Sequence, residues 1–347
     1  MNNPFDIIFG KQPSEVIERF DEEQEIIESF VNGNNPSPIY ILTGPRGCGK
    51  TVTLGSIVSH FEKLDNWIVI DLNPHQDLEV QFATSLYQNA NLKHLFIKKE
   101  FNFSFKGLGF SLSGDFPIVS TSAFIDKMLE HLKKKNINVL LAIDEVNNNQ
   151  FMKIFAHSFQ HYLREDFNVS LVMTGLYEQV SSLENEDGIT FLYRAPKMFL
   201  KPLNIRLITN KYVSMLKMDV DSAKEAAAIT NGYAFAYQLL GYILYKREKV
   251  KVDKDVLDEL DALLDERSYS KIYSELTKRE KEIVDIIADD KKTNIEIKKG
   301  LNLKDGTLST YKLSLQRKGI IDVSTRGEIE FQLPRFKEFI LFNKNMK

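Results

Sequence analysis

The chain has one cysteine, Cys48, in 347 residues, so no internal disulfide can form. Met1 to Gly10 carry no apolar leader, and together these two features point to the reducing cytoplasm. No apolar run approaches the ~18 residues that a membrane span needs, so no membrane partner is expected. Low-complexity tracts and internal repeats are lacking as well. The net charge is only −3, so bulk composition does not make the whole chain a polyanion binder. His157 and His161 stand four apart with no third ligand in view, so they read as surface or core histidines rather than metal ligands. No Ser-His-Asp or Cys-His arrangement stands out.

What is present suffices for a real core. Hydrophobic residues make up 43%, and the length suggests two or three domains. Charge is unevenly spread. Lys271 to Lys347 carry 17 Lys+Arg against 12 Asp+Glu, while the remainder is net acidic. That asymmetry suggests a nucleic-acid-facing end, with ordinary scatter of solvated charge as the alternative.

The strongest motif is Gly44-Pro45-Arg46-Gly47-Cys48-Gly49-Lys50-Thr51, which fits the phosphate-loop pattern G-x-x-x-x-G-K-[ST]. Ile39 to Leu42 reads as a buried strand entering it. Lys50 to Phe61 reads as the helix leaving it, with Val52, Leu54, Ile57 and Val58 apolar. Glycines let the backbone bend so that its N–H groups approach phosphate oxygens, and the helix N-terminus adds its positive dipole end. Lys50 is expected to reach the β- and γ-phosphates of ATP, and the Thr51 hydroxyl to bind Mg²⁺. Cys48 lies inside this loop near Lys50. Either its thiol is reactive and shielded by nucleotide, or it is a small side chain tolerated at a variable position.

Further elements alternate. A helix is expected near Asp21 to Asn32, a strand at Trp67 to Leu72 and a helix near Leu78 to Ala90. Ser122 is expected to cap a helix through Lys134. Strands follow at Val139 to Ile143 and Val169 to Thr174, with a helix at Met152 to Arg164 between them and a short strand at Met198 to Leu200 after. Phe101 to Leu112 alternate apolar and polar around Lys106-Gly107, which reads as an inserted β-hairpin near 100–113. It is a packing decoration or a partner-binding element. The alternation of strands and helices argues for a three-layer α/β fold with a parallel sheet. Helices are then expected at Asn204–Leu216, Asp221–Thr230, Ala234–Arg247 and Lys254–Leu276, a small helical lid.

The apolar run Val139 to Ile143 ends in Asp144-Glu145, the Walker B pattern. Asp144 is expected to hold Mg²⁺ opposite Thr51, and Glu145 to polarise the attacking water as general base. Acids directly after a buried strand rarely serve packing, because unpaired buried carboxylates are costly.

The last stretch reads as three helices and a hairpin. Thr277 and Glu280 fit a capping box before a helix with Ile283, Ile286 and Ile287 inward. Asn294 to Leu301 is a second helix. Thr307 to Lys318 is a third, with Leu308, Tyr311 and Leu315 inward and Gly319 as its stop. Ile320 to Val323, a turn at Arg326-Gly327 and Ile329 to Leu333 form a wing. This looks like a winged helix-turn-helix, whose third helix would enter the major groove of double-stranded DNA. Thr307, Ser309, Thr310, Lys312 and Gln316 are the candidate exposed contacts, with Lys312, Arg317, Lys318 and Arg326 available to phosphates. Such modules also dock proteins.

The order of parts resembles the AAA+ P-loop ATPases, and more closely the prokaryotic ATPases related to archaeal initiator-type and STAND-type proteins with a C-terminal winged helix. The resemblance rests on Asn3-Pro4-Phe5 with Phe9-Gly10, the phosphate loop, Asp144-Glu145, Thr174-Gly175-Leu176 and Phe191-Leu192-Tyr193-Arg194-Ala195 before Leu203. It implies a nucleotide-binding domain over 1–203, a helical lid over 204–270 and a winged helix over 271–347. It also implies ATP and ADP as ligands with Mg²⁺, and assembly into a homo-oligomer on ATP binding. By the resemblance, Thr174 falls at sensor 1, which reads the γ-phosphate; as a bare residue it would cap the next helix. Arg194 falls at the arginine finger that acts in trans; as a bare residue it would pair with an acid such as Glu186. Two departures stand out. Arg19-Phe20 precede Asp21-Glu22-Glu23 where the family often has Gly-Arg. The lid segment Asn231 to Gln238 carries no cation where a sensor 2 arginine is expected. Slow hydrolysis, or a nucleotide switch that docks a protein partner, follows from them as the alternative.

Overall fold

A computed structural model describes residues 3–5, 7, 16–32, 37–89, 120–302, 306–323 and 328–346. The hairpin expected at 101–112, Phe9-Gly10, Lys304, Arg326 and the wing turn lie outside the described residues. The chain divides into two compact units. One comprises Phe20–Thr43 with Thr53–Met198, and the other Met1–Arg19, Gly44–Val52 and Phe199–Lys347.

In the first unit, strands β1 (Ile39–Thr43), β2 (Trp67–Leu72), β3 (Asn138–Ile143), β4 (Val169–Gly175) and β5 (Lys197–Phe199) form one sheet in the order β2-β3-β4-β1-β5. The pairs β1–β4, β2–β3 and β3–β4 are parallel. Both faces are covered, as continuous apolar strands require. On one face Ile39, Ile41, Ile70, Leu141, Ile143 and Met173 pack with Phe82, Ile125, Met128, Phe155 and Phe159 from helices Leu78–Gln88, Thr121–Lys134 and Gln150–Arg164. On the other, the Tyr40 ring meets Phe30 edge-on at 5.7 Å, and Phe30 meets Phe61 at 6.0 Å. The period-2 alternation of strand side chains thus places helices on either side, giving three layers.

Boundaries moved slightly from the sequence expectations. The cap of Thr121–Lys134 is Ser120, whose hydroxyl accepts the Ala123 N–H; Ser122 lies within the helix. The short strand expected at Met198 to Leu200 sits one residue earlier, at Lys197–Phe199.

The second unit is mostly helical. Helices Ile205–Leu216, Val220–Ile229, Ala234–Lys246 and Lys254–Leu264 pack around Tyr212, Tyr237, Leu240 and Leu260. Phe5 packs its ring against both Tyr212 and Tyr237, at 5.9 and 5.7 Å, where Gly241 leaves room that a Cβ would fill. Burying that ring stabilises by about 2–3 kcal/mol. The single helix expected over Lys254–Leu276 is interrupted by a π turn at Asp265–Tyr269, followed by Ser270–Ser274. The extra residue of the π turn re-aims Ser268 and Tyr269. Ser268 meets Tyr233, and the Tyr269 hydroxyl donates to the Pro334 carbonyl.

Helices Lys278–Ala288, Asn294–Leu301 and Thr307–Arg317 follow, then two antiparallel strands, Ile321–Asp322 and Glu330–Phe331, and a closing helix Phe336–Asn345. The capping box of Thr277 and Glu280 forms as expected. Glu280 is 1% exposed and accepts from Lys318 at 2.8 Å and Ser314 at 2.7 Å. Burial would raise this carboxyl, but Lys318, Ser314 and the Thr277 N–H outweigh it and hold it below the usual carboxylate value.

Candidate phosphate loop and catalytic acids

In the loop, Gly44, Gly47 and Gly49 adopt φ of +153°, +71° and +99°. At Gly47 the constraint is double. The conformation disfavours a side chain, and a Cβ there would lie 2.4 Å from the Tyr233 hydroxyl oxygen.

Every carbonyl from Gly44 to Cys48 accepts a hydrogen bond. Lys50 Nζ donates to Gly44 O at 3.0 Å and Pro45 O at 2.8 Å. The Tyr233 hydroxyl donates to Arg46 O at 2.8 Å. The Phe235 N–H donates to Gly47 O at 3.1 Å. Arg19 donates to Cys48 O at 2.9 Å and, with its other terminal nitrogen, to Lys201 O at 2.6 Å. Cys48 itself is buried. The Cys48 N–H in turn donates to Pro45 O at 3.4 Å, so the backbone turns tightly ahead of the helix N-terminus, the setting of a phosphate nest. Thr51 follows Lys50 on the helix and is exposed.

The rest of this unit touches the loop directly. Gly319, at φ +68° after the Thr307–Arg317 helix, approaches Pro45 so closely that a Cβ would lie 2.5 Å from the ring. Arg46 pairs with Glu275 at 2.8 Å, and Asn231 Nδ2 donates to Gln332 O at 2.8 Å. A narrow cleft behind the loop is lined by Arg19, Lys201, Tyr233, Ala234, Gly319 and Leu333.

In the other unit, the β3 strand delivers Asp144 half-buried and Glu145 exposed. Thr174, fully buried at the end of β4, binds both. Its hydroxyl donates to Asp144 Oδ1 and accepts the Glu145 N–H at 3.0 Å. The capping alternative for Thr174 is therefore not adopted, since Leu176 occupies the cap of helix Tyr177–Glu184 without a side-chain bond. Glu145 sits at φ +55°, a left-handed conformation that an acid adopts at a cost of about 1 kcal/mol or more. The sequence reading missed a third acid here. Asp71, paired in register with Ala142, has its carboxyl pushed up by desolvation and by the charge of Asp144. Its signal was an acid inside the otherwise apolar Trp67–Leu72.

Arg194 ends the 3₁₀ turn Thr190–Arg194, is exposed, and makes no ion pair among the described residues. Its expected partner Glu186 is engaged by Asn148 at 2.6 Å and Lys153 at 2.9 Å. These two bonds, Asn148 first, hold the Glu186 carboxyl below its usual value.

Of the candidate DNA contacts, Thr307, Ser309, Thr310, Gln316 and Arg317 are exposed. Lys312 is half-buried and donates to Asn294 Oδ1 at 2.9 Å, and Lys318 is held by Glu280.

Comparison with known proteins gives a fold rather than a family. A family model described as a domain of unknown function (DUF8462) matches residues 266–340. No curated protein matches the chain. Among solved structures, the Walker-type ATPase PABY2304 of Pyrococcus abyssi is 16% identical, with 94% of this chain and 96% of that one covered at a TM-score of 0.62. The Aeropyrum pernix ORC2 protein in its ADPNP–ADP complexes is 12% identical, with 98% of each chain covered at 0.59. The ADP form of that ORC2 protein gives 12% identity, 98% and 96% coverage, and 0.51. The five-stranded sheet with its helices thus has the α/β fold of these Walker-type ATPase and ORC2 structures.

Proposed function

We propose that the chain is an ATPase of the AAA+ type that binds ATP with Mg²⁺ and couples its nucleotide state to double-stranded DNA through a C-terminal winged helix. The observation that carries the nucleotide part is the loop Gly44–Lys50, which runs into the N-terminus of the Lys50–Phe61 helix with three glycines at positive φ and with its carbonyls from Gly44 to Cys48 held by hydrogen bonds. Lys50 would move from its loop carbonyls to the β- and γ-phosphates. Thr51 and Asp144 would hold Mg²⁺, which neutralises charge on the phosphates. Glu145 is the general base, and Thr174, bonded to both neighbouring acids, is the group that positions it. Arg194, exposed and without an ion partner among the described residues, suits a finger reaching the nucleotide of a neighbouring copy in a homo-oligomer. The names of the two similar archaeal proteins, one an ATPase and one bound to ADPNP and ADP, support this reading.

For the DNA part, the support is local positive charge and the order helix, helix, helix, hairpin. Thr307, Ser309, Thr310, Gln316 and Arg317 are the exposed candidate contacts. Arg326, outside the described residues, belongs with them by sequence as a candidate phosphate contact. The working division remains 1–203, 204–270 and 271–347.

A second reading has its own observation. Gly319 rests on Pro45 and Glu275 pairs with Arg46, so the C-terminal module is docked on the phosphate loop. That arrangement suits a switch in which nucleotide governs the docking of a protein partner and turnover is slow. ATP turnover by wild type and Glu145→Gln, with and without duplex DNA, separates the two. Activity lost in the variant and raised by DNA establishes the first reading. Activity lost in the variant but indifferent to DNA favours the switch.

A further inference from the structure

We infer that Tyr233 and Arg19 are positioning residues for the phosphate loop, and that they do the work that the segment Asn231 to Gln238, which carries no cation, cannot do with a charge. The inference rests on the reading of Gly44–Thr51 as a nucleotide loop and deepens it.

Three observations converge. First, Tyr233 is fully within the core of its unit, 5% exposed, yet its hydroxyl oxygen reaches the loop backbone. Arg46 O can only accept, so the phenol proton is committed to it. The Ser268 hydroxyl, 3.0 Å from the Tyr233 oxygen, must then be the donor of that pair. The chain Ser268 to Tyr233 to Arg46 has one possible direction, and bonds aligned this way reinforce each other. Second, burial drives the Tyr233 phenol well above its ordinary value, so it stays protonated and remains a donor at any working pH. Third, Arg19 is 7% exposed and spends two donors on carbonyls of separate segments, Cys48 and Lys201. A lysine has the charge but not the fork that spans both.

The consequence is geometric. A loop amide whose carbonyl is fixed has its N–H fixed on the opposite side. Tyr233 and Phe235 fix the Arg46–Gly47 and Gly47–Cys48 peptides, and Arg19 fixes Cys48–Gly49, so three peptide planes of the loop are set by groups outside it. Such bracing lowers the reorganisation that binding would otherwise require.

The sole cysteine makes this testable on the protein without nucleotide. Cys48 is buried in the loop, so its modification by 5,5′-dithiobis(2-nitrobenzoate) reports loop opening. Tyr233→Phe keeps the ring and removes the donor. Its Cys48 should react about tenfold faster than in wild type, and its Kd for Mg–ADP should weaken by about tenfold, the scale of one lost buried hydrogen bond. Saturating kcat should change far less than KM. Tyr212→Phe is the matched control, because it removes a buried tyrosine bond of 2.8 Å to Tyr237 O that does not touch the loop. It should leave the labelling rate and the ADP affinity at wild-type values. Arg19→Lys should resemble Tyr233→Phe. Equal labelling and equal affinity in wild type, Tyr233→Phe and Arg19→Lys would overturn the inference, as would an equal rise in Tyr212→Phe. If wild type binds no nucleotide but Tyr233→Phe still labels faster, the ATP reading falls and the brace stands.

Discussion

The phosphate loop and the end of β3 are built from opposite materials. The loop offers backbone N–H groups, and its side chains are glycine, proline or small, apart from Arg46 and Lys50. Its shape is held from outside, by donors from Arg19, Tyr233 and Phe235 to its carbonyls. The β3 end offers carboxylates, and its shape is held by one buried hydroxyl, Thr174. An electropositive surface drawn from the backbone needs conformations that only glycine adopts cheaply, together with external bracing. An electronegative surface drawn from side chains needs a rigid strand and a single polar partner to orient it. Damage should therefore travel differently in the two places.

Gly47→Ala should be the most severe break. The added Cβ meets Tyr233 at 2.4 Å and the φ of +71° opposes it, so calorimetry with Mg–ATP should detect no binding, a loss above about a hundredfold. Retained affinity would show that the loop is not the site. At the other region, Thr174→Val removes the one hydroxyl that bonds both the Asp144 carboxylate and the Glu145 N–H. It should cost about 1–3 kcal/mol in denaturant unfolding and lower turnover more than affinity, while Thr174→Ser restores both. A smaller effect tests the C-terminal module. Glu280 is held below its usual value, so its contribution is full at neutral pH and is lost as pH falls through the lowered value, below about 4.5. The stability gap between wild type and Glu280→Gln should close on acidification and stay constant from pH 6 to 8. Smallest of all is Glu275→Gln. The Arg46–Glu275 pair is about one-third exposed on each side, so its loss should cost under ~1 kcal/mol and shrink further in high salt. A larger loss would mean that the docking of the C-terminal module on the loop depends on that pair.

How much of this was legible depended on the range of the interaction. The sheet was legible because continuous apolar strands such as Val139–Ile143 and the helix periodicity after Lys50 are local patterns. The bend at Gly44, Gly47 and Gly49 was legible because glycine spacing marks where the backbone takes positive φ. Asp144 and Glu145 were legible because acids after a buried strand have few structural uses. Asp71 was not, since its raised carboxyl comes from desolvation and from Asp144 on the neighbouring strand's end, not from its own segment. Tyr233 was not, because a tyrosine in a lid reads as core; its role comes from an oxygen 187 residues away in sequence. The π turn escaped for a similar reason. Asp265–Tyr269 has ordinary helical residues, and tertiary partners of Ser268 and Tyr269 decide the extra residue. Lys318 read as a phosphate contact by charge alone, whereas the fold commits it to Glu280.

The sequence by itself thus determined the α/β fold class and marked Gly44–Thr51 and Asp144-Glu145 as the candidate site, because each is written in spacing over fewer than about ten residues. Tertiary structure alone decided which groups hold that loop in shape, which oxygen orients Asp144 and Glu145, and which surface cations are already engaged. Those outcomes depend on atoms brought together from distant segments, and no local pattern encodes a partner that far along the chain.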